Sequence, residues 1–136
     1  MREILFRGKF GNEWKYGFLS IEPQGLVIKE PYKNDSSNVW HIESDTIGQY
    51  TGMTDKNGTK IFEGDIIDFL YRSDGDDYGI VQYDVDETEF GFVYNLIYDG
   101  LGRHYCSRDI EVIGNIYDNP ELMKGEKNND TRGTKN

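Results

Sequence analysis

The chain has 136 residues, enough to bury an apolar interior without metal or disulfide crosslinks, as one domain or as two very small ones sharing a core. Aromatic residues make up 14% of the chain and alanine is absent, a composition typical of β-sheets rather than helices. The single cysteine, Cys106, excludes an intramolecular disulfide, and no apolar run is long enough for a membrane helix. Since Met1 is followed by charged Arg2 and Glu3, not by an apolar signal core, we expect a cytoplasmic protein.

The negative charge of the chain is concentrated in one segment. Between Glu63 and Asp99 there are eleven acidic residues and one basic residue, Arg72, so this segment carries the whole formal net charge of −10. The remainder is neutral. Because a phosphate backbone is repelled by such a segment, nucleic acid is an unlikely partner there.

The first 46 residues predict a β meander. Apolar residues alternate along the first two segments, and Gly11-Asn12 between them predicts a hairpin with Trp14, Tyr16 and Phe18 on one face. Polar residues 33–38 predict an exposed loop between the last two. The predicted strands are residues 4–10, 14–21, 26–28 and 39–42.

Residues 47–118 predict a small SH3-like barrel, because short alternating strands are separated by frequent turns. Asp55-Lys56-Asn57-Gly58 predicts a hairpin turn, since an Asn-Gly pair readily adopts positive φ. Glu63-Gly64-Asp65 predicts a bend, with a binding mouth around Glu63 and Asp65 as the alternative. The predicted strands are residues 49–51, 61–62, 66–71, 79–85, 90–98 and 110–117.

One short C-terminal helix is predicted over residues 119–125, with Asn119 as N-cap and Pro120 in the first helical position. Residues 126–136 lack apolar side chains and predict a disordered tail. The fold class is therefore mainly β. The predicted core residues are Phe6, Trp14, Phe18, Ile61, Ile67, Val81, Phe92 and Val112.

The residues needed for catalysis are scarce. His41 and His104 lie in strand-like segments, and Cys106 two residues after His104 is too common a pair to indicate a catalytic dyad. The glycine-rich segments lack the lysine and spacing of nucleotide-binding loops, and closely spaced aspartates 74, 76 and 77 lack EF-hand spacing. We therefore predict no catalytic residue, no cofactor and no metal.

Three blocks of residues occur in order along the chain. They are Arg2-Glu3-Ile4 with Phe6-Arg7; then Gln49-Tyr50-Thr51-Gly52, Asp55-Lys56-Asn57-Gly58, Ile61 and Glu63-Gly64-Asp65-Ile66; then Val112 to Tyr117 leading into Asn119-Pro120-Glu121-Leu122. In order and spacing these blocks resemble the YopX family of phage and prophage proteins. The resemblance implies phage origin in a bacterial host, a β-rich fold and self-association, and it transfers no catalytic residue.

We therefore predict a non-enzymatic phage accessory protein that binds other proteins, including copies of itself. The acidic segment would steer basic partners, and its candidate interaction residues are Asp74, Asp76, Asp77, Asp86, Glu87 and Glu89. An acidic mimic of DNA directed at a host protein is one variant. The alternative class is a nucleic-acid-binding barrel that uses Arg2, Arg7, Lys9 and Lys15 with Trp14 and Tyr16.

Overall fold

The structure is a computed structural model that describes residues 2–30 and 38–123. Within these ranges the chain forms eleven strands whose pairings are antiparallel, so the predicted mainly β class is confirmed. The chain divides into two compact units, Met1–Gly52 and Met53–Asn136. The predicted disordered tail and all but the last residue of the predicted loop at 33–38 lie outside the described residues.

The first unit is one antiparallel sheet with the strand order β4-β3-β2-β1-β5. The β1–β2 hairpin turns at Gly11, whose φ of +63° suits a glycine, as predicted. Its strands are β1 (Phe6–Phe10), β2 (Glu13–Glu22), β3 (Gly25–Lys29), β4 (Val39–His41) and β5 (Gly48–Thr54), and a 3₁₀-helix covers Ser44–Thr46.

Phe18 does not lie in the core. It is 55% exposed, whereas its neighbour Gly17 is buried and approaches the backbone of Lys29 so closely that no side chain would fit. Alternation along β2 shows that two faces exist, but not which of them is covered. The prediction that Phe18 is buried is therefore wrong, while Phe6 and Trp14 are half-buried.

The second unit is built on a five-stranded antiparallel sheet with the strand order β10-β9-β8-β7-β11. β5 ends in this unit and is followed by β6, which pairs with it. The remaining elements are β6 (Lys60–Phe62), β7 (Asp65–Phe69), β8 (Gly79–Asp84), β9 (Glu89–Tyr94), β10 (Ile97–Gly100), α1 (Leu101–His104) and β11 (Ile110–Asn115). No described pairing joins β10 to β11, so closure into an SH3-like barrel stays a prediction.

The helical segments differ from the single predicted C-terminal helix. α1 and a 3₁₀-helix at Ser107–Asp109 were not predicted, and the C-terminal segment is a 3₁₀-helix at Pro120–Leu122. Pro120 begins it as expected, but the Asn119 side chain accepts a hydrogen bond from the Asn115 backbone N–H (3.1 Å) and caps nothing. Residues 124 and 125 lie outside the described residues.

The predicted strand 90–98 is two strands. Asn95 and Leu96 both have positive φ, +48° and +65°, and form a two-residue turn that pairs Ile97 with Tyr94. Such turns need positive φ at both central residues, which Asn tolerates and Leu does not favour. The apolar alternation continues through this turn in the sequence, which is why the turn was missed.

The other two predicted turns are present. At the β5–β6 hairpin the Asp55 carboxylate accepts backbone hydrogen bonds from Asn57, Thr59 and, on β11, Val112, each at 2.9 Å. Between β6 and β7, Gly64 has a φ of +90° and Asp65 accepts a bond from the Phe62 N–H (2.8 Å). The Asp65 side chain is buried, and its hydrogen bond with the Phe62 N–H stabilises this turn.

Candidate functional site

The two faces of the five-stranded sheet carry different residues. Successive residues of a strand point to opposite faces, and paired residues share a face. The inner face carries Ile67, Val81 and Phe92, which form one buried cluster with Phe69, Ile61, Leu101, Tyr105 and Ile110. The outer face carries Ile66 paired with Ile80, and Ile80 paired with Val93.

The outer face holds a groove of about 440 Å³. Ile66, Ile80 and Val93 lie at its floor, where the three neighbouring strands run side by side. Its walls come from the loop before β8, from the β9–β10 turn and from the C-terminal 3₁₀-helix. The wall residues are Asp77, Tyr78, Tyr94, Asn95, Leu96, Leu122 and Met123. A concave, mainly apolar surface with a few polar groups is the usual form of a binding site.

The loop before β8 is fixed by Arg72. Its guanidinium donates to the Asp68 carboxylate (Nε to Oδ1, 2.8 Å) and to the Asp76 backbone carbonyl (2.9 Å). It also lies over the ring of Tyr78, 4.1 Å from the ring centroid. Burial alone would lower the pKa of Arg72, but the hydrogen bond and charge of Asp68 outweigh it and raise the pKa. One wall of the groove is therefore held in place by the only cation of the acidic segment.

The β9–β10 turn forms a second wall, which meets the loop before β8. Asn95 joins the two walls, because its side chain donates to Asp76 Oδ1 (3.0 Å) and accepts from the Asp77 backbone N–H (3.0 Å). Leu96 is 99% exposed although it is apolar and its φ is unfavourable for Leu. Strained, exposed residues of this kind occur at sites of function, where the strain is maintained by the surrounding structure.

Among the residues that the structure describes, Asp77 is the only charged one that lines the groove. Its backbone N–H is bonded to Asn95, while its carboxylate has no hydrogen bond or ion pair with any residue in the described ranges. The neighbouring Asp76 carboxylate differs, since it accepts bonds from Asn95 and from the Ser73 backbone N–H. A carboxylate beside apolar walls favours a ligand that brings a positive charge.

Glu89 lies on the same face but is already paired. It accepts two hydrogen bonds from Arg103, at 3.0 and 2.8 Å, and one from the Tyr98 hydroxyl at 2.8 Å. The bonds from Arg103 and then Tyr98 lower the pKa of Glu89, while burial and the Glu89 charge raise the pKa of Tyr98. Of the six acids singled out from sequence, Glu89 is thus the one committed to an ion pair.

The other singled-out acids lie in two separate places. Asp74, Asp76 and Asp77 belong to the loop before β8, and Asp86 and Glu87 to the turn after it. The six residues of β8 separate these loops by about 17 Å, so the six acids do not form one patch. Asp74, Asp86 and Glu87 are exposed.

His104 at the end of α1 and Cys106 just after it take part in local hydrogen bonds. Asp99 contacts His104 (Nδ1 to Oδ1, 2.9 Å) and accepts a bond from the Tyr105 hydroxyl (3.0 Å). Cys106 is exposed, and its backbone N–H donates to Asp109, which lowers the pKa of that carboxyl. Within residues 2–30 and 38–123, no three His, Cys, Asp or Glu side chains are grouped to hold a metal.

Three basic residues of the first unit, Arg7, Lys9 and Lys15, lie against aromatic rings. Arg7 is only 5% exposed and its guanidinium lies 4.5 Å from the centroid of the Trp14 ring; Lys15 lies 3.8 Å from that of Trp40. Tyr16 is partly exposed. These placements leave Arg7 poorly accessible to a phosphate, the contact that a nucleic-acid-binding role would require of it.

Fold and groove together define a small, mainly β protein with an apolar groove on one sheet. The chain belongs to the YopX protein family, whose sequence model matches residues 7–124. It is also similar to the crystal structure of protein EF1440 from Enterococcus faecalis, with 24% identity, a TM-score of 0.54, and coverage of 91% of this chain and 100% of that one. At this identity the likeness concerns the fold alone.

No curated protein matches the chain. The helices within the described residues are all too short or too polar to cross a membrane.

Proposed function

We propose that this chain is a non-enzymatic accessory protein of a phage or prophage that acts by binding proteins, including copies of itself. The observation that carries the proposal is the groove of about 440 Å³ with the strained, exposed Leu96 at its rim. An apolar side chain displayed beside an apolar cavity loses water-exposed surface as soon as a partner covers both.

Edge strands give a second means of association. β10 is an outermost strand of the described five-stranded sheet, whereas the outer side of β11 is bonded to the β5–β6 hairpin through Ile110 and Val112. Pairing of such an edge with an added strand is a common mode of protein recognition. This supports self-association, since two identical edges can pair about a two-fold axis.

The groove supports protein binding over mimicry of DNA. A DNA mimic would present a continuous row of free acids, whereas Asp68, Glu89 and Asp99 have partners within the chain. The other acids singled out from the sequence are split between two loops. An apolar groove contributes nothing to such mimicry, but it is the feature that a protein side chain would fill.

The test compares two variants that add the same charge to an exposed apolar residue. Leu96→Arg alters the groove rim, while Val85→Arg alters the distant turn after β8, where Val85 is 76% exposed. The protein and both variants are used as bait in infected host cells, and their molar mass is measured by light scattering. We expect Leu96→Arg to lose its partner while keeping the self-association that the strand edges give, and Val85→Arg to keep both. Equal recovery of a partner by both variants would contradict a role for the groove.

A further inference from the structure

The charge distribution around the groove, taken with its shape, identifies the chemistry of its occupant. We infer that the groove binds a protein segment in which a large apolar side chain is followed closely by lysine or arginine, the cation pairing with Asp77. This inference rests on the proposed function and adds the class of partner. The floor of Ile66, Ile80 and Val93 accommodates the apolar side chain, and Asp77 on the wall supplies the one charge among the described lining residues.

The first argument is charge complementarity. Among the described residues no basic side chain lines the groove, and Arg72, five residues before Asp77, is bound to Asp68 and to the carbonyl of Asp76. The loop also carries exposed Asp74, which adds a second negative charge near Asp77. Charge pairs in partly water-excluded sites select between partners, because a like charge in the same place is strongly disfavoured.

The second argument concerns a second copy of this chain. Two grooves facing each other would bring two Asp77 carboxylates and two acidic loops together, with no cation among the described lining residues to separate them. Like charges juxtaposed at an interface oppose association. Self-association through the strand edges avoids this repulsion, so the groove itself remains for a basic, apolar segment of another protein.

The experiment selects binders from a display library of random peptides, using the full chain, Asp77→Asn, Asp86→Asn and Leu96→Arg. Asp86→Asn is the matched control, because it removes the same charge from an exposed position in the turn after β8. We expect the full chain and Asp86→Asn to enrich peptides with Lys or Arg next to a large apolar residue. Their affinity should fall about tenfold on Asp77→Asn, and replacing the peptide's basic residue with Gln should cost nothing further on that variant.

The other outcomes contradict either the inference alone or the inference together with the proposed function. Peptides that are apolar but not basic, bind Asp77→Asn as well as the full chain, and fail on Leu96→Arg would overturn this inference while the proposed function stands. Equal losses on Asp77→Asn and Asp86→Asn would show a diffuse charge effect and overturn it too. Peptides that bind Leu96→Arg unchanged, or a library without any enriched sequence, would contradict both the inference and the proposed use of the groove.

Discussion

The two faces of the five-stranded sheet illustrate how one alternating sequence produces two kinds of surface. The inner face is closed by aromatic packing: Phe92 lies 4.8 Å from Phe69 and 5.3 Å from Tyr105, measured between ring centroids. The outer face is closed at one end by the Glu89 to Arg103 ion pair and open at the other, where the groove lies. Ile67, Val81 and Phe92 are buried on the inner face, whereas Leu96 beside the groove of the outer face is exposed.

This difference separates stability from recognition within a single sheet. Val81 and Phe92 on the inner face are fully buried, so their packing holds the fold together. Leu96 contributes almost no burial and adds backbone strain, so the fold gains nothing from it. We therefore expect mutations of Val81 or Phe92 to lower the free energy of unfolding. Mutation of Leu96 should instead weaken binding without destabilising the fold.

The largest expected effect comes from opening the inner face. Phe92→Ala should lower the free energy of unfolding by about 3–5 kcal/mol, because it leaves a cavity among Phe69, Val81 and Tyr105. Its neighbour on the outer face, half-buried Val93, is the control: Val93→Ala should cost at most about 1.5 kcal/mol. Urea denaturation followed by circular dichroism measures both. Equal losses would mean that the two faces are packed alike.

The second prediction concerns the turn that covers the inner face. Asp55 is 3% exposed, and burial would raise its pKa, but the backbone N–H donors of Val112, Thr59 and Asn57 outweigh burial and lower it. Asp55→Asn should cost about 1–3 kcal/mol at neutral pH, because an amide NH₂ must face one of these donors.

The pH dependence has a definite sign. Since the pKa of Asp55 is lower in the folded state, its contribution is complete above the unfolded value near 3.9 and is lost as pH falls below it. The loss of stability between about pH 4 and pH 2 should therefore be less steep in Asp55→Asn than in the unchanged protein. A parallel decline in the two proteins would show that Asp55 is not the group responsible.

Sequence reasoning predicted the strands and turns whose chemistry is local. The Gly11 and Asn57-Gly58 turns need only positive φ, and alternation in 79–85 and 110–117 located β8 and β11 within two residues. It failed where two local signals conflicted. The apolar alternation through Leu96 concealed a turn that only Asn95 indicated, and alternation along β2 could not reveal that Gly17, not Phe18, faces the interior.

The groove was beyond prediction from sequence because its parts are distant along the chain. Ile66, Ile80 and Val93 share a floor only through strand register, and Leu122 joins them from the C-terminal 3₁₀-helix. Asp77 was singled out as an acid, but nothing local distinguished it from Glu89, whose partner Arg103 lies fourteen residues away. Residues that carry the family resemblance, such as Asp55 and Gly64, stabilise turns. They therefore give no information about a binding partner.

The third prediction is a variant that becomes more stable while losing function. Leu96→Gly should raise the free energy of unfolding by about 0.5–1 kcal/mol, because relief of the positive φ exceeds the added chain entropy of Gly. Leu96→Ala is the control, since it removes the exposed side chain and keeps the strain. Both should bind a groove partner more weakly, and only the Gly variant should gain in melting temperature. A loss of stability in Leu96→Gly would mean that the leucine side chain packs within the protein.

The smallest expected effect is at the closed end of the outer face. Glu89→Gln removes the charge that pairs with exposed Arg103, and exposed pairs contribute little because water and salt screen them. We expect a decrease in melting temperature that is smaller than for Asp55→Asn and that shrinks further at high salt. Glu87→Gln, in the adjacent turn, removes a charge that interacts with Arg103 without a hydrogen bond to it, and should show a smaller salt-dependent decrease. A large decrease that persists at high salt would show that the Glu89 to Tyr98 hydrogen bond, rather than the charge pair, closes this end of the face.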